Sequence, residues 1–279
     1  MADDIIQEIN FFTPPQDGSA AWMDFTPTLV TGKKNFEPIS CQVTIHDLRN
    51  KESSIDLDTH GFQVLKYDGD IHNEFDNDSE MQRSYYEDIV ALLKKRLGAS
   101  SVIIFNHIFR FRGSPLTPYQ CDSTHKNPGL DAHVDIDPSG VPWKVEQLLG
   151  EEEAKKAMHH RFQMINIWRP IGPNPVMNIP LALCDYRSVD VDKDIHVVQH
   201  RGTPNSLSGY AMSHNAQGAQ KWYYLSQMRS DEMFVFKIFD SKPDVAQFGA
   251  HAAFINKNVP PTNVEQQSIE VRCLVFYDQ

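Results

Sequence analysis

The residues best suited to chemistry in this sequence lie in the polar segment 131–137 and at a lone downstream histidine. Side chains of an extended segment repeat their direction every second residue, so His133 and Asp135 should point to the same side. If His251 joins them, the three side chains form a two-histidine, one-carboxylate triad, which leaves open positions on ferrous iron for substrate or dioxygen. We therefore predict that His133, Asp135 and His251 are metal ligands and catalytic residues of an oxygen-using enzyme.

A histidine and an aspartate two residues apart also occur as an ordinary hydrogen-bonded pair at a strand end. Two features favour the metal site. The segment follows a β-type run and a loop containing Gly113, Pro115 and Pro118, so it should lie at a strand edge. The residues around His251, in the segment 249–254, are mostly small and leave room for a ligand.

A second charged feature lies in the last apolar run of the chain, 268–277. Ser268, Glu270 and Arg272 share one face of the predicted strand. A guanidinium that points into a protein core needs an anionic partner, because its unpaired burial is costly. Either a dicarboxylate such as 2-oxoglutarate or an internal acid such as Glu270 could supply that partner.

Length and composition limit the class of protein. The chain has 279 residues, of which 41% are hydrophobic, enough for one large domain over 1–279 with an extended N-terminal arm (1–40) and a catalytic body (41–279). The net charge of −11 argues against nucleic acid or an anionic membrane as a partner. The acidic N-terminus is unlike a signal peptide, and no run approaches membrane-spanning length, so we expect a cytoplasmic protein.

The pattern of elements predicts a mainly β protein with flanking helices. Helical spacing of apolar residues predicts helices over 79–97 and from 142 to about 160. Short strand-like runs separated by turn residues fill the second half of the chain, at 162–169, 181–184, 195–198, 209–213, 221–225, 232–238, 251–255 and 268–277. This order favours a jelly roll, which is a cupin-like double-stranded β-helix.

The order His-x-Asp, late His, then Arg in the last strand resembles the Fe(II)- and 2-oxoglutarate-dependent dioxygenases. The resemblance is to the hydroxylase/desaturase subfamily of secondary metabolism, which includes gibberellin desaturase-like proteins, a cephamycin methoxylation protein and a fungal meroterpenoid endoperoxide-forming oxygenase. It extends from about Cys41 to Tyr277. The segments that carry it are 43–49 (VTIHDLR), 59–62 (THGF), 167–170 (IWRP), 180–185 (PLALCD), 222–225 (WYYL) and 268–272 (SIEVR).

The resemblance implies that His133, Asp135 and His251 bind iron and that Arg272 anchors the distal carboxylate of 2-oxoglutarate, with Ser268 as a further contact. One departure is that the loop 259–267 lengthens the gap between His251 and Arg272 beyond the usual spacing, which leaves His214 as an alternative ligand.

The resemblance also implies the activity. We expect hydroxylation, desaturation or endoperoxide formation on an apolar small molecule, with Fe(II), 2-oxoglutarate and O2 as cofactor and cosubstrates. Trp168 and Tyr224 are candidate substrate contacts, although aromatic residues in strands usually belong to the core. A homodimer is the assembly that we consider. The rival interpretations are a cupin-like metalloenzyme that does not use 2-oxoglutarate and a catalytically inactive β-sandwich that binds a ligand.

Overall fold

The computed structural model describes residues 4–26, 33–111, 121, 124–202, 207–260 and 264–278. The predicted loop residues Gly113, Pro115 and Pro118 lie outside these ranges. The strands of the described chain form two β-sheets. The larger sheet has ten strands in the spatial order β1 (Ile5–Phe11), β4 (Ile39–Asp47), β13 (Trp222–Tyr224), β10 (Leu181–Cys184), β15 (His251–Ala253), β8 (His133–Val134), β12 (Ser208–Met212), β11 (Ile195–Arg201), β2 (Trp22–Asp24) and β3 (Lys33–Lys34).

The smaller sheet has six strands, and one of its faces packs against side chains of the larger sheet. Their spatial order is β5 (Phe62–Lys66), β14 (Glu232–Asp240), β9 (Phe162–Ile171), β16 (Gln267–Phe276), β6 (Ser101–Phe111) and β7 (His125–Lys126). All ten residues of β9 are buried, because its two faces pack against different layers. The structure thus confirms the mainly β architecture predicted from the sequence for a double-stranded β-helix.

The two faces of the smaller sheet differ in what covers them. On the outer face, Ile165, Val271 and Val235 belong to a buried cluster that also contains Tyr85, Ile89 and Leu93 of a long helix. On the inner face, apolar side chains join two other clusters, which include residues of the larger sheet. Polar residues Asn166, Glu270 and Arg272 lie between these apolar regions on the same inner face, since Arg272 is the register partner of Asn166.

Five α-helices connect or flank the described strands: α1 (Leu57–His60), α2 (Glu80–Leu97), α3 (Val141–Leu149), α4 (Glu151–Ala157) and α5 (Val191–Asp194). The predicted helix 79–97 is confirmed, with the side chain of Ser79 capping the backbone N–H of Gln82 and with Gly98 ending it at φ 70°. The predicted helix 142–160 is instead two helices. Gly150, with φ 79°, interrupts it, and α4 ends at Ala157.

The first forty residues contribute strands to the larger sheet. β1 pairs antiparallel with β4 over seven residues, and β2 pairs parallel with β11. This N-terminal segment therefore supplies both edges of the larger sheet, β1 at one and β2 with β3 at the other. Among the described residues, no helix combines the length and apolar character that a membrane span requires.

Candidate metal centre

The three predicted metal ligands meet in the middle of the larger sheet. His251 in β15 is the register partner of His133 in β8, and their rings are 4.4 Å apart between centroids. Asp135 follows β8 by one residue, and its Oδ1 lies 3.4 Å from Nε2 of His133. One ligand atom from each of the three side chains lies within 4.8 Å of the other two, which is the spacing of atoms that share an ion.

Hydrogen bonds to backbone carbonyls fix the tautomers of both histidines. Nδ1 of His133 donates to the carbonyl of Asp131 at 2.7 Å, and Nδ1 of His251 donates to the carbonyl of Gly249 at 3.2 Å. A carbonyl oxygen only accepts, so the protons sit on Nδ1. The lone pairs of both Nε2 atoms are then available for a metal, as in metal sites where the second ring nitrogen orients the first.

The electrostatics of the triad also suit a cation. Burial lowers the pKa of His251 to about 4, and repulsion from His133 adds to this, so the imidazole is neutral at pH 7. Burial opposes the charge on Asp135, but Arg272 and the two histidines outweigh it and hold its pKa well below the usual range. The triad thus presents a carboxylate and at least one neutral imidazole, the protonation states that metal ligation needs.

The second oxygen of Asp135 is held by two donors on the smaller sheet. Nδ2 of Asn166 donates to Oδ2 at 2.8 Å, and a guanidinium nitrogen of Arg272 lies 3.2 Å from the same oxygen. These contacts leave Oδ1 on the side of His133. Asn166 and Arg272 of the smaller sheet therefore orient the carboxylate of Asp135, a residue that directly follows β8 of the larger sheet.

Arg272 is itself part of a buried ion cluster. It donates to Oε1 of Glu270 at 2.8 Å, while Arg110 contacts Oε2 of the same carboxylate at 3.3 Å. The internal partner considered for Arg272 is therefore present. The Nε atom of Arg272 is buried and has no hydrogen-bond partner among the described residues, so this guanidinium still has a hydrogen to donate.

A close backbone contact supports the segment before His251. Gly61 has φ 86°, and a β-carbon on it would lie 2.3 Å from the carbonyl oxygen of Phe248. The backbone N–H of Gly249 donates to the carbonyl of Lys237, whose own N–H donates to Gly61. The glycine in the 59–62 segment is thus required because a side chain would displace the strand entry that carries His251.

The other candidate site residues occupy different places. Ser268 is fully buried and is the register partner of Arg110. It lies two residues before Glu270 in β16, so both side chains are on the same face. Trp168 is buried beside Phe234 and is the register partner of Glu270. Tyr224 packs edge-on against Phe254 in another cluster.

The alternative ligand does not join the triad. His214 packs against Phe11, with ring centroids 5.0 Å apart, and it is not among the residues that meet at the centre. His251 lies directly opposite His133 instead. Asp137 accepts a hydrogen bond from the backbone N–H of Ser139 at 2.6 Å and starts a short 3₁₀ turn, so it acts as a turn residue.

Asn166 is the site residue that the sequence reasoning missed. Its signal was present, because it is a polar residue in the middle of a strand that is otherwise apolar over several positions. Such a residue needs a hydrogen-bond partner inside the protein. His107 on β6 faces the outer side of the smaller sheet, where the hydroxyl of Tyr86 lies 2.7 Å from its Nδ1.

The chain matches known oxygenases over nearly its whole length. The family model described as "Oxidoreductase/YMDC permease-like domain" matches residues 9–276. A protein named Fe(II)/2-oxoglutarate-dependent dioxygenase nvfI, from Aspergillus novofumigatus, is 30% identical over 273 residues, which is 95% of this chain and 94% of the relative. The hydroxylase/desaturase efuI of Hormonema carpetanum is 30% identical over 290 residues, with 97% and 94% covered.

A solved structure agrees with these sequence matches. The structure named iron and alpha-ketoglutarate-dependent endoperoxidase NvfI superposes with a TM-score of 0.81 at 28% identity, and the match covers 99% of both chains.

Proposed function

Because this chain belongs to the Fe(II)- and 2-oxoglutarate-dependent dioxygenases, we propose that His133, Asp135 and His251 hold its ferrous iron. The observation that carries the proposal is the convergence of one ligand atom from each side chain within 4.8 Å, with both Nδ1 atoms already committed to carbonyls. The donor set of two imidazoles and one carboxylate fits ferrous iron and leaves coordination positions open. The side chains of His133 and Asp135 are 30% and 17% exposed, so solutes can reach them.

Iron, 2-oxoglutarate and dioxygen together supply the oxidising power, and 2-oxoglutarate is converted to succinate and carbon dioxide. The chain's own part is to orient and to bind. Asn166 and Arg272 fix Oδ2 of Asp135, so Oδ1 keeps one direction. Gly249 fixes the ring of His251 through Nδ1. This preorganisation holds reacting groups in place without a further loss of entropy.

For the cosubstrate, Arg272 binds the distal carboxylate of 2-oxoglutarate, with Ser268 beside it. The support is the buried Nε of Arg272, which has no partner among the described residues. Another nitrogen of the same guanidinium lies 3.2 Å from Oδ2 of Asp135, so Arg272 is next to the triad. Glu270 accepts from another nitrogen of the same guanidinium, so the cosubstrate must share Arg272 with this internal acid. Sharing is chemically sound because a guanidinium carries five N–H donors.

The primary substrate is a small molecule with a mainly apolar body, oxidised by hydroxylation, desaturation or endoperoxide formation in secondary metabolism. Trp168 is the better placed of the two candidate aromatic contacts, because its register partner Glu270 belongs to the ion cluster of the site. The position of Tyr224 against Phe254 gives it a less direct role. We also propose a cytoplasmic location and a homodimer. Light scattering can measure the mass of the protein in solution and so test the dimer.

Family membership favours the oxygenase over both rival interpretations. The test is aerobic incubation of the Fe(II)-loaded protein with 2-oxoglutarate, with succinate and oxygen consumption as readouts. We expect slow succinate formation even without the primary substrate, its loss in Asp135→Ala, and its retention in His214→Ala. Iron binding without any succinate would support the metalloenzyme that does not use 2-oxoglutarate. A protein that binds neither iron nor 2-oxoglutarate would be the inactive module.

A further inference from the structure

Four positively charged side chains lie near the ion cluster, and we call them the cationic group: Arg110, Lys126, Lys144 and Arg272. Arg110 and Lys126 are register partners on the neighbouring strands β6 and β7. Lys144 in α3 lies 4.8 Å from the ring centroid of Phe105, the neighbour of Asn106, which pairs with Arg272. Four separate elements, β6, β7, α3 and β16, therefore bring positive charge to the same region of an otherwise acidic protein.

The members of the cationic group act on one another. Partial loss of water around the ammonium of Lys126, a residue that is otherwise exposed, lowers its pKa, and repulsion from Arg110 and then Arg272 lowers it further. Burial likewise lowers the pKa of Lys144, with a smaller contribution from Arg272. Like charges held together in this way are unfavourable unless an anion offsets them.

The acids beside this group are already engaged. Glu270 accepts from both arginines, and Asp135 is shared by Arg272, Asn166 and His133. Within the described part of the chain, Lys126 makes no hydrogen bond or ion pair of its own, and Lys144 donates only to the amide oxygen of Gln147. The two lysines thus lack a carboxylate partner among these residues.

A charge balance indicates what is missing. Asp135 and Glu270 offset two of the four positive charges of the cationic group. The two positive charges of ferrous iron are offset by the two negative charges of 2-oxoglutarate, so loading the site with both leaves its net charge unchanged. Among the described residues, two positive charges of the cationic group therefore remain without an offsetting anion.

We propose that Lys126, assisted by Lys144, binds a carboxylate of the organic substrate, which is therefore an apolar molecule carrying an acidic group. The inference rests on the proposed function, since it names the substrate class of the same site. Lys126 is exposed and Arg110 beside it is 13% exposed, so the carboxylate binds at the rim while the apolar body extends inward. A point charge such as an ammonium suits a carboxylate whose orientation the body of the molecule fixes.

The test uses a probe pair on protein loaded with Zn(II), which is redox-silent, and saturated with 2-oxoglutarate, so that Arg272 is occupied. Calorimetry compares 2-naphthoate with uncharged 2-naphthamide in wild type, Lys126→Met and Lys257→Met. Lys257 is a matched control because it is an exposed lysine paired with Glu8. We expect wild type to prefer naphthoate, and Lys126→Met to weaken naphthoate about fivefold, the scale of a partly exposed ion pair. Naphthamide binding and the control should be unchanged.

Three outcomes would overturn the proposal: equal binding of the two probes by wild type, no detectable naphthoate binding, or an equal loss in the Lys257→Met control. A fourth is a loss of 2-oxoglutarate affinity in Lys126→Met without a loss for naphthoate, which would place Lys126 at the cosubstrate instead. The preceding titration of 2-oxoglutarate alone tests the proposed function separately. If that titration failed, a naphthoate preference that depends on Lys126 would still support the anion site.

Discussion

The amide of Asn166 donates a 2.8 Å hydrogen bond to Oδ2 of Asp135, the carboxylate oxygen that also contacts Arg272. This bond crosses from the smaller sheet to the loop after β8 and leaves Oδ1 toward His133. The Oδ1 atom of Asn166 has no hydrogen-bond partner among the described residues, so its described role is that of a donor. Asn166 is thus a positioning residue for Asp135, the carboxylate that we propose as a metal ligand.

Asn166→Ala should weaken binding of Co(II), a spectroscopic substitute for Fe(II), by about tenfold or more, the scale for removing the partner of a ligand. The reason is that Oδ2 of Asp135 loses one of its two donors. Titration followed by the visible Co(II) absorption measures this. Gln163→Ala is the matched control, since Gln163 is buried on the same strand but bonds to Asp240. Equal Co(II) affinity in Asn166→Ala and wild type would show that Asp135 needs no support from Asn166.

Replacement of His133, Asp135 or His251 by alanine should abolish stoichiometric ferrous iron binding, because three protein ligands leave no spare donor. His214→Ala should keep an affinity within a few-fold of wild type, since its ring packs on Phe11 away from the triad. Iron content after anaerobic reconstitution is the measurement, with circular dichroism to verify the fold. If His214→Ala emptied the site while His251→Ala did not, the assignment of the distal ligand would be wrong.

Arg272→Leu should weaken 2-oxoglutarate binding by roughly 2–5 kcal/mol, the range for truncating one partner of a buried charge pair. Arg272→Lys should recover only part of this, because an ammonium lacks the planar fork. Arg272→Leu also removes one of the two donors to Oδ2 of Asp135, so iron affinity should fall by about as much as in Asn166→Ala, and the 2-oxoglutarate titration is made at saturating iron. Anaerobic titration with 2-oxoglutarate measures the three proteins side by side. Equal affinities would give Arg272 a purely structural role.

The buried ion network behind His251 should make stability sensitive to acid. Lys237 and Asp240 are both fully buried, with Nζ 2.6 Å from the carboxylate. Burial opposes the charge on Asp240, but hydrogen bonds from Arg161, Lys237 and Gln163 outweigh it and lower its pKa. A lowered pKa in the folded state stabilises the protein above the unfolded value of about 3.9, and this contribution is lost as the pH falls toward the folded value.

Urea unfolding at a series of pH values tests this acid sensitivity. The free energy of unfolding of wild type should fall below about pH 4.5, where unfolded aspartates begin to take up protons. Asp240→Asn should lose about 3–5 kcal/mol at pH 7, since Lys237 and Arg161 must then share Asp58 as their one described acidic partner, and its stability should depend less on acid. Glu153→Gln, which removes an exposed pair with Lys156, should cost under about 1 kcal/mol. The same acid slope in wild type and Asp240→Asn would contradict the role of Asp240.

Much of the fold could be predicted because its signals are local. Apolar spacing and the Ser79 cap define α2, and β-type runs separated by turn residues define most of β9 to β16. The helix after the triad segment was predicted as continuous, because a single glycine such as Gly150 is tolerated within many helices. Its φ of 79° ends α3 in the structure.

Side-chain type alone indicated the chemistry of His133, Asp135 and His251, and the structure brings these three residues together. Partners across sheets were not predictable, because register sets them. Asn166 meets Asp135 only because β9 and the segment after β8 face each other in the folded interior. Phe109 lies on the outer face against Phe75, whereas its neighbour Arg110 lies on the inner face, because successive side chains of a strand point to opposite sides.

The most direct test of the account is anaerobic addition of 2-oxoglutarate to the Fe(II)-reconstituted protein, followed by visible absorption. Chelation of ferrous iron by a 2-oxo acid gives a weak metal-to-ligand charge-transfer band. We predict that this band appears in wild type and saturates at one 2-oxoglutarate per chain, that it is absent in Asp135→Ala, and that it is retained in His214→Ala. Iron-loaded wild-type protein that shows no band at saturating 2-oxoglutarate, or an unchanged band in Asp135→Ala, would contradict the central claim that this triad is the iron site of a 2-oxoglutarate-dependent oxygenase.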